Sequence, residues 1–401
     1  MKVRLIPWLV VFLLCCMLTV PHIGLAAAGA NANPLNLPDV VLHSKAAVLL
    51  DYATGNILYE KNAHEPLPPA SVTKIMTLVL ALEALRDGKV TLDTMVSASP
   101  LAASMGGTQI WLEPGEQMSF NDLLYAIAVG SANDAAVAVA EHIAGSEPAF
   151  VDLMNARSRA LGMKNSHWSN PSGLPPEDVG KSEPHVTTAY DLAVLSRYAL
   201  GLPLFHELTS TYGPVLMRAN TKRQPELWNF NKMLKQYNGL DGIKTGMTNE
   251  AGFCLVATAI RDDLRLIAVA LGAPSSADRN SDIAKLLDLG FGTLKAIKVA
   301  GAGEQIGELA LRRGSAPKVA VTPAKDVVVT LPRTSQAVPE TRIISHNVAA
   351  PVVKGQAVGE IVVTLDGVEV ARTDLVAMTD VPRGSVWQIM VQTVKQVTGR
   401  R

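Results

Sequence analysis

The segment that most constrains the fold is residues 71–86, which are apolar on almost every side of a helix. A helix of this kind has no polar face to turn towards water, so other parts of the chain must enclose it. Three prolines within residues 66–69 lead into the segment, and Asp87-Gly88 end it. The sequence therefore predicts a buried central helix in a protein large enough to surround it.

Strand and helix signals surround this segment in a mixed order. Residues 46–51 and 56–60 flank Ala53-Thr54-Gly55, which predicts a hairpin. Strand, helices, strands and helix in this order predict an α/β domain with a helical insertion over residues 36–295. Apolar periodicity with end signals predicts helices at 120–129, 133–144, 149–161, 189–200 and 281–293, and strands at 239–245, 251–260 and 264–271.

A domain of different texture follows at residues 296–380. Val, Ile and Thr alternate there with Gly and Pro, and turn signals recur about every 8–12 residues. This pattern is typical of a small sandwich or barrel. We predict an all-β second domain that contributes no catalytic group.

The first 28 residues have the three-part layout of a secretory signal: a basic start, an apolar run and a small-residue stretch. A retained membrane anchor is the alternative. We expect an exported protein at the outer face of the cytoplasmic membrane, in the periplasm or cell-wall space. Cleavage would remove Cys15 and Cys16 and leave Cys254, which is predicted to be a buried structural thiol.

The last segment, residues 381–401, contains basic residues and no acidic one. A basic amphipathic helix with an aromatic side chain on its apolar face can lie in a membrane interface. The segment is therefore predicted to associate with the membrane surface, the alternatives being a helix packed on its own domain or a frayed tail. Its apolar residues at helical spacing are Trp387, Met390, Val391, Val394 and Val397.

The overall composition excludes several classes of protein. Lys and Arg number 36, as do Asp and Glu, and a net charge of zero gives no support for nucleic-acid binding. Three Cys residues in the chain exclude a disulfide scaffold. Because His64-Glu65 is followed by Pro66 and by no His at helical spacing, we expect no metal and no other cofactor.

A serine and a lysine lie one helical turn apart at the start of the central helix, in Ser71-Val72-Thr73-Lys74. A serine hydroxyl is a weak nucleophile until a base takes its proton. Lys74 could be that base if burial or a neighbouring cation lowers its pKa. The same spacing recurs in Ser315-Ala316-Pro317-Lys318, which contains a proline and has no helical context, so we attribute that copy to chance.

Two further triplets could complete a site. Ser131-Ala132-Asn133 lies in a short link between two predicted helices, where Ser131 could pass a proton and Asn133 could hold a substrate backbone; helix capping by Asn133 is the alternative. Lys244-Thr245-Gly246 ends an apolar strand. Its cation could dock a carboxylate, and its glycine could leave room for an extended substrate. In this order the three triplets resemble the Ser-x-x-Lys, Ser-x-Asn and Lys-Thr-Gly motifs of penicillin-binding proteins and class A β-lactamases.

With these motifs the sequence resembles the low-molecular-mass penicillin-binding proteins that are serine-type D-alanyl-D-alanine carboxypeptidases. The resemblance covers about residues 40–295, and the β domain and tail match the same layout. It implies a β-lactamase/transpeptidase-like α/β domain, with an antiparallel sheet and a helical subdomain. The sequence departs from the family pattern at Ala132, where glycine is more usual. Further segments that carry it are Asp51–Gly55, Tyr59–Asn62, Asn170–Leu174, Thr187–Leu192 and Asp241–Ile243.

The resemblance also implies a reaction. Ser71 would attack the peptide bond between two D-alanines of a peptidoglycan stem, Lys74 would accept its proton, and Ser131 would return a proton to the leaving D-alanine. Backbone N–H groups of Ser71 and of a residue near Thr248 would form the oxyanion hole.

The remaining roles concern substrate binding. Lys244 and Thr245 would hold the terminal carboxylate, with Arg279 nearby. Gly246 would leave the strand edge open to the substrate, and Asn133 would hold the substrate backbone. β-Lactams would inhibit by trapping Ser71.

Several alternatives stay open. A serine β-lactamase needs a deacylating glutamate, and no Glu-x-x-Leu-Asn segment follows Ser131, although Glu177 and Glu183 lie in the relevant loop. A wall-binding scaffold without catalysis would not need the intact set of side chains. Endopeptidase or transpeptidase action on the same site is also possible. His185 is interpreted as a residue that packs a loop rather than as a catalytic one.

Overall fold

The structure, a computed structural model, describes residues 40–218 and 225–398. The predicted export signal at 1–28, with Cys15 and Cys16, lies outside these ranges. The strands are β1 (Ala46–Asp51), β2 (Ile57–Lys61), β3 (Met95–Ser97), β4 (Gln117–Ser119), β5 (Val215–Leu216), β6 (Glu226–Leu227), β7 (Leu240–Thr248), β8 (Gly252–Arg261), β9 (Leu264–Ala273), β10 (Leu294–Ala300), β11 (Gly307–Ala310), β12 (Lys318–Pro323), β13 (Val327–Pro332), β14 (Glu340–Ser345), β15 (Ala357–Leu365) and β16 (Val368–Ala377).

The helices fall mainly between β2 and β7, as the predicted helical insertion requires. A 3-10 turn, Ala70–Thr73, precedes the first of them, and a second 3-10 turn spans Pro176–Val179. The α-helices are α1 (Lys74–Arg86), α2 (Pro100–Ala103), α3 (Phe120–Ala128), α4 (Asn133–Ala144), α5 (Glu147–Ala160), α6 (Ala189–Ala199), α7 (Phe205–Ser210), α8 (Met233–Gln236), α9 (Ser276–Thr293) and α10 (Val386–Thr398).

The main sheet has the strand order β2-β1-β9-β8-β7, and all its pairings are antiparallel. Both of its faces are covered. Alternate residues of β1 point to opposite faces, so Val48 packs with the helices of the insertion and Leu49 packs with α9. This burial on both sides explains why the strands read as continuous apolar runs rather than as alternating ones.

The predicted central helix is confirmed, with one difference at its start. Nearly all of α1 is buried, in one cluster with α3, α4 and α6. Each fully buried Leu or Met there contributes about 1.5–3 kcal/mol relative to an exposed position. The prediction of a single helix from residue 71 was wrong in detail, since Ser71 lies in the 3-10 turn and α1 begins at Lys74.

The end signals located most of the other predicted helices correctly, while the short helices α2, α7 and α8 were not predicted. The side chains of Ser119 and Thr188 accept hydrogen bonds from residues three positions later and begin α3 and α6, as predicted. The predicted start of α9 at residue 281 was wrong: Ser275 caps the helix, whose first residue is Ser276. The earlier start places Arg279 in the first turns of α9 instead of in a loop.

The all-β prediction for the second domain is also confirmed. A five-stranded sheet with the order β11-β12-β16-β15-β14 accompanies the pair β10-β13. Residues of both pack into one cluster, in which Val329 of β13 joins Val321, Ile361 and Leu375 of the larger sheet. The second domain therefore has a core of its own.

The C-terminal helix α10 follows this domain and is largely exposed. Trp387 is 68% exposed and Met390 is 49% exposed. Gln392 donates a hydrogen bond from Nε2 to the carbonyl of Gly314, 2.9 Å away. In the described parts of the chain, no helix combines the length and the apolar character that crossing a membrane would require.

Candidate active site

The 3-10 turn before α1 holds Ser71 beside Lys74. A 3-10 helix has three residues per turn, so side chains at positions i and i+3 lie directly above one another. The Nζ atom of Lys74 accordingly lies 3.0 Å from the Oγ of Ser71. Ser71 is partly exposed, so its hydroxyl is accessible to a ligand. Lys74 is fully buried, so its amine is held in place beside Ser71.

Lys74 has two more partners, and together they fix its orientation. Its Nζ lies 2.6 Å from Oδ1 of Asn133 and 2.6 Å from the carbonyl oxygen of Ser172. Both of these atoms can only accept hydrogen bonds. A neutral amine has two N–H bonds and one lone pair, so with both N–H bonds engaged the lone pair is left for the O–H of Ser71.

The surroundings of Lys74 favour this neutral form. Its pKa lies well below the ordinary value, because burial removes water and because the charge of Lys244 repels a second cation. The carboxylate of Asp134 acts in the opposite direction. That carboxylate is already satisfied by the backbone N–H groups of Ile110 and Leu112.

The link between α3 and α4 supplies Ser131 and Asn133, both buried. Ser131 has a left-handed backbone with φ of +55°, and its carbonyl accepts a hydrogen bond from Oγ1 of Thr108. Asn133 donates from Nδ2 to the carbonyl of Gly106, and the cap of α4 is Ala132 rather than Asn133. Among the described contacts, no hydrogen bond joins Oγ of Ser131 to Ser71 or Lys74.

Ala132 fits its position without strain. Its φ of −62° and ψ of 122° are extended values that any residue with a Cβ adopts. The usual glycine is therefore not required at this point of the link.

Strand β7 brings Lys244, Thr245 and Gly246 to the other side of the serine. Gly246 faces the 3-10 turn so closely that a Cβ there would lie 3.0 Å from the backbone N of Ser71 and the carbonyl of Pro69. Glycine thus permits the close approach of β7 to the turn, and the N–H of Ser71 faces this strand.

Lys244 is a buried cation with a weakened proton affinity. Burial and the nearby charge of Arg279 lower its pKa to about 7. Its Nζ donates to the carbonyl of Thr245, 3.2 Å away. Arg279 is itself buried in α9 and donates to Oδ1 of Asn280. Two cations held out of water at this end of the cleft fit a carboxylate ligand.

The loop Asn170–Gly173 is a part of the site whose role the sequence did not reveal. Ser172 contributes a backbone carbonyl to Lys74, and Asn170 shapes the loop by accepting N–H bonds from Ser172 and Gly173. Gly173 has φ of +87°, and a Cβ on it would lie 2.0 Å from the carbonyl of Ala70. An Asn-Pro-Ser-Gly turn is a recognisable signal, but a carbonyl contact has no side-chain signature.

His185 supports the 3-10 turn from behind. Its Nδ1 accepts from the backbone N–H of Ser169, so its Nε2 carries the hydrogen that faces Oγ1 of Thr73 at 2.8 Å. Its ring meets that of Trp168 edge-on at 5.6 Å. Burial lowers the pKa of His185 to about 3, so the ring is neutral. These contacts favour the interpretation of His185 as a packing residue.

Two other sequence predictions concern groups near the site. Cys254 is buried in β8, and burial raises the pKa of its thiol to about 11, so it is not a thiolate nucleophile. Over the described residues, no group of three or more His, Cys, Asp or Glu side chains could hold a metal ion.

The geometry supports one kind of chemistry. A partly exposed hydroxyl hydrogen-bonded to a buried amine of lowered pKa is an activated nucleophile. Backbone N–H groups of the turn lie beside β7, and two buried cations, Lys244 on β7 and Arg279 on α9, can bind a carboxylate. Acyl transfer from a substrate with a terminal carboxylate uses all of these features.

Comparisons with known proteins agree with this chemistry. The family description "D-alanyl-D-alanine carboxypeptidase" matches residues 32–275, and that of the C-terminal domain of penicillin-binding protein 5 matches residues 295–383. The D-alanyl-D-alanine carboxypeptidase DacF of Bacillus subtilis is 37% identical over 370 residues, which cover 92% of this chain and 93% of DacF.

Solved structures give the same result. Penicillin-binding protein 5 from Haemophilus influenzae is 32% identical with a TM-score of 0.64, covering 86% of this chain and all of its own. Penicillin-binding protein D2 from Listeria monocytogenes in its cefotaxime-bound form is 32% identical with a TM-score of 0.56, covering 63% of this chain and 99% of its own.

Proposed function

The chain belongs to the D-alanyl-D-alanine carboxypeptidase family of penicillin-binding proteins, and we propose that Ser71 is the nucleophile with which it removes the terminal D-alanine from peptidoglycan stem pentapeptides. The family assignment confirms the resemblance noted in the sequence. The observation that carries the residue assignment is the contact of Lys74 with Ser71, in which two other acceptors aim the lysine lone pair at the hydroxyl.

Acylation begins when Lys74 takes the proton of Ser71. The serine oxygen attacks the carbonyl carbon of the penultimate D-alanine, and its electron pair moves onto the carbonyl oxygen. The N–H of Ser71 and that of a residue just past Gly246, near Thr248, hold this oxyanion. The close packing of Gly246 on the turn supports this pairing.

Substrate orientation depends on β7 and on the link before α4. Lys244 and Thr245 hold the terminal carboxylate, and Arg279 adds positive charge nearby. Asn133 uses one hydrogen of Nδ2 for Gly106, which leaves the second for the substrate backbone. The buried position of Lys244 makes its hydrogen bond to a carboxylate stronger than it would be in water.

The cycle closes with proton return and hydrolysis. The C–N bond breaks as the leaving D-alanine takes a proton from Lys74 by way of Ser131. Water then cleaves the acyl-serine ester and restores the free hydroxyl of Ser71. A β-lactam follows the same first step, but its opened ring stays attached and blocks the water, so it acts as an inhibitor.

Labelled penicillin and D-alanine release together test the assignment. We expect Ser71→Ala to lose both covalent label and D-alanine release from a stem pentapeptide. Ser315→Ala is the matched control, because Ser315 heads the second Ser-x-x-Lys copy, and it should keep both activities. Label retained on Ser71→Ala would contradict the assignment.

The same assays separate the other readings of the site. Rapid multiple turnover of benzylpenicillin would favour a β-lactamase, and a long-lived adduct favours a carboxypeptidase. Failure of the wild-type protein to release D-alanine, together with undiminished binding to cell walls, would favour a non-catalytic scaffold.

The location and the tail belong to the same proposal. We place the enzyme at the outer face of the cytoplasmic membrane, with α10 lying in the interface. The exposed Trp387 and Met390 support this role. Double substitution Trp387→Ser/Met390→Ser should abolish binding to anionic vesicles while penicillin labelling persists. Unchanged vesicle binding would contradict the proposal that α10 lies in the membrane interface.

A further inference from the structure

Three aromatic side chains near the catalytic cleft are exposed in a way that the fold does not require. Trp111, Trp228 and Phe230 have exposed fractions of 57%, 48% and 52%. Large aromatic rings usually lie inside a protein or in an interface, and grouped exposed ones indicate a binding surface. We call these three residues the aromatic rim.

Trp111 is held outward by its backbone. Its φ of +57° lies in the left-handed region, which a bulky residue rarely adopts. The flanking residues Ile110 and Leu112 are buried, and their N–H groups bind the carboxylate of Asp134, which directly follows Asn133. The loop that borders the site therefore buries both neighbours of Trp111 and turns its indole out, and strain of this kind concentrates at functional sites.

Trp228 and Phe230 follow β6 in residues 226–231, where exposed and buried residues alternate and the chain bends at Phe230. Both rings are exposed, whereas the residues between and around them are buried. The side chain of the buried Leu227 packs on Gly130, since a Cβ added to Gly130 would lie 3.1 Å from it. At the other end of the segment, Nδ2 of Asn231 donates a hydrogen bond to the carbonyl of Gly242, 3.3 Å away. The segment thus runs from the residue before Ser131 to a point two residues before Lys244.

A guanidinium joins the two parts of the rim. Arg218 donates to the carbonyls of Ile110 and Trp111 at 2.9 Å and 3.2 Å. Arg218 follows β5 closely, and β5 pairs with β6, the strand directly before Trp228. The Trp111 loop and the Trp228 segment are therefore tied to one another beside the same cleft.

We propose that the aromatic rim binds the sugar rings of peptidoglycan while the attached stem peptide occupies the cleft. The inference rests on the proposed function, since a stem peptide is carried on a glycan. A pyranose ring offers a face of C–H groups that packs flat on an aromatic ring, while its hydroxyls stay in water. Glu226 is exposed on the same side of its segment as Trp228, so the face is unsuited to an anionic lipid surface.

The first test compares two substrates that differ only in sugar: a free stem pentapeptide and the same pentapeptide on its disaccharide. Trp111→Ala and Trp228→Ala should each raise KM for the disaccharide substrate roughly 3- to 10-fold, the size of one aromatic contact. Neither substitution should change kcat, because a contact with a sugar far from the reacting bond stabilises the ground state and the transition state equally. Both variants should treat the free pentapeptide as the wild type does.

Three controls make the result specific. Trp228→Tyr keeps an aromatic face and should restore most of the wild-type KM. Leu153→Ala removes a comparably exposed apolar side chain from α5 and should have no effect on either substrate. Penicillin labelling at the wild-type rate shows that each variant retains a folded cleft.

A second readout does not depend on catalysis. Glycan strands freed of stem peptides should bind the wild type, and binding should weaken in Trp111→Ala and Trp228→Ala. The proposal would be contradicted if each substitution raised KM equally for both substrates, or if glycan binding were unchanged by the substitutions. If the wild type released no D-alanine from either substrate, the proposed carboxypeptidase function would be wrong. The glycan-binding measurement would still test whether the aromatic rim binds sugar.

Discussion

The Nζ of Lys74 stands 3.0 Å from Oγ of Ser71, and its other two hydrogen-bonding directions end on atoms that can only accept. This arrangement determines where the lone pair of the neutral amine points. Oδ1 of Asn133 and the carbonyl of Ser172 therefore act on Ser71 through Lys74, although neither needs to touch the substrate for this purpose.

Replacement of Lys74 tests whether the amine is the base. Lys74→Met should lower the rate of acylation by labelled penicillin about 10²- to 10⁴-fold, the usual contribution of a positioned base. Lys318→Met, which changes the lysine of the second Ser-x-x-Lys copy, should leave the rate unchanged. A Lys74→Met protein that acylates at the wild-type rate would show that another group takes the proton.

The two buried lysines predict opposite limbs of a pH profile. In the proposed mechanism Lys74 works as the neutral amine, so kcat/KM should rise as pH increases through its lowered pKa. Lys244 is proposed to work as the cation that holds a carboxylate, so kcat/KM should fall as pH rises through about 7. Lys244→Arg should move the falling limb to higher pH, because a guanidinium keeps its charge. A falling limb that stays in place would remove Lys244 from this role.

Gly246 tests the close packing of β7 on the 3-10 turn. Gly246→Ala introduces a Cβ 3.0 Å from backbone atoms of Pro69, Ser71 and Val72, so the strand and turn must separate. The strand and turn must move apart by a few tenths of an ångström, and since a 1 Å displacement can cost about 100-fold in rate, we expect a loss of roughly 2- to 10-fold in penicillin acylation.

The matched control is Gly292→Ala in α9, where a Cβ would meet no atom within 4 Å. It should leave acylation intact and raise the free energy of unfolding by about 0.5–1 kcal/mol through helix propensity. Equal acylation rates in the two variants would contradict the packing argument.

His185 should make stability depend on pH in the acid range. Its pKa is about 3 in the folded protein against an ordinary value of 6.5. Between these values the unfolded chain binds a proton that the folded protein excludes, so the free energy of unfolding falls as pH falls, by up to about 1.4 kcal/mol per pH unit. Urea unfolding should show a shallower dependence for His185→Asn than for the control His346→Asn.

Much of this architecture could be predicted because it depends on local signals. The cap at Thr188 and the apolar run of α1 depend on residues that are close together in the sequence. The order of the three triplets predicted that Ser71, Lys74 and Asn133 lie together. The start of α9 was missed because Ser275 lies several residues before the apolar pattern begins. The carbonyl of Ser172 was unpredictable in principle, since every residue type carries one, and only the fold decides which carbonyl faces Lys74.

The topology of the main sheet has a consequence for the timing of activity. Strand β1 pairs with β9, so the earliest strand of the domain is completed by one that leaves the ribosome after Lys244 has already been made. Contacts so distant along the chain form late in folding. A chain that has not yet formed β9 should therefore carry Ser71 as an ordinary alcohol, and Ser71 should react with antibiotic or substrate only once the whole domain has folded.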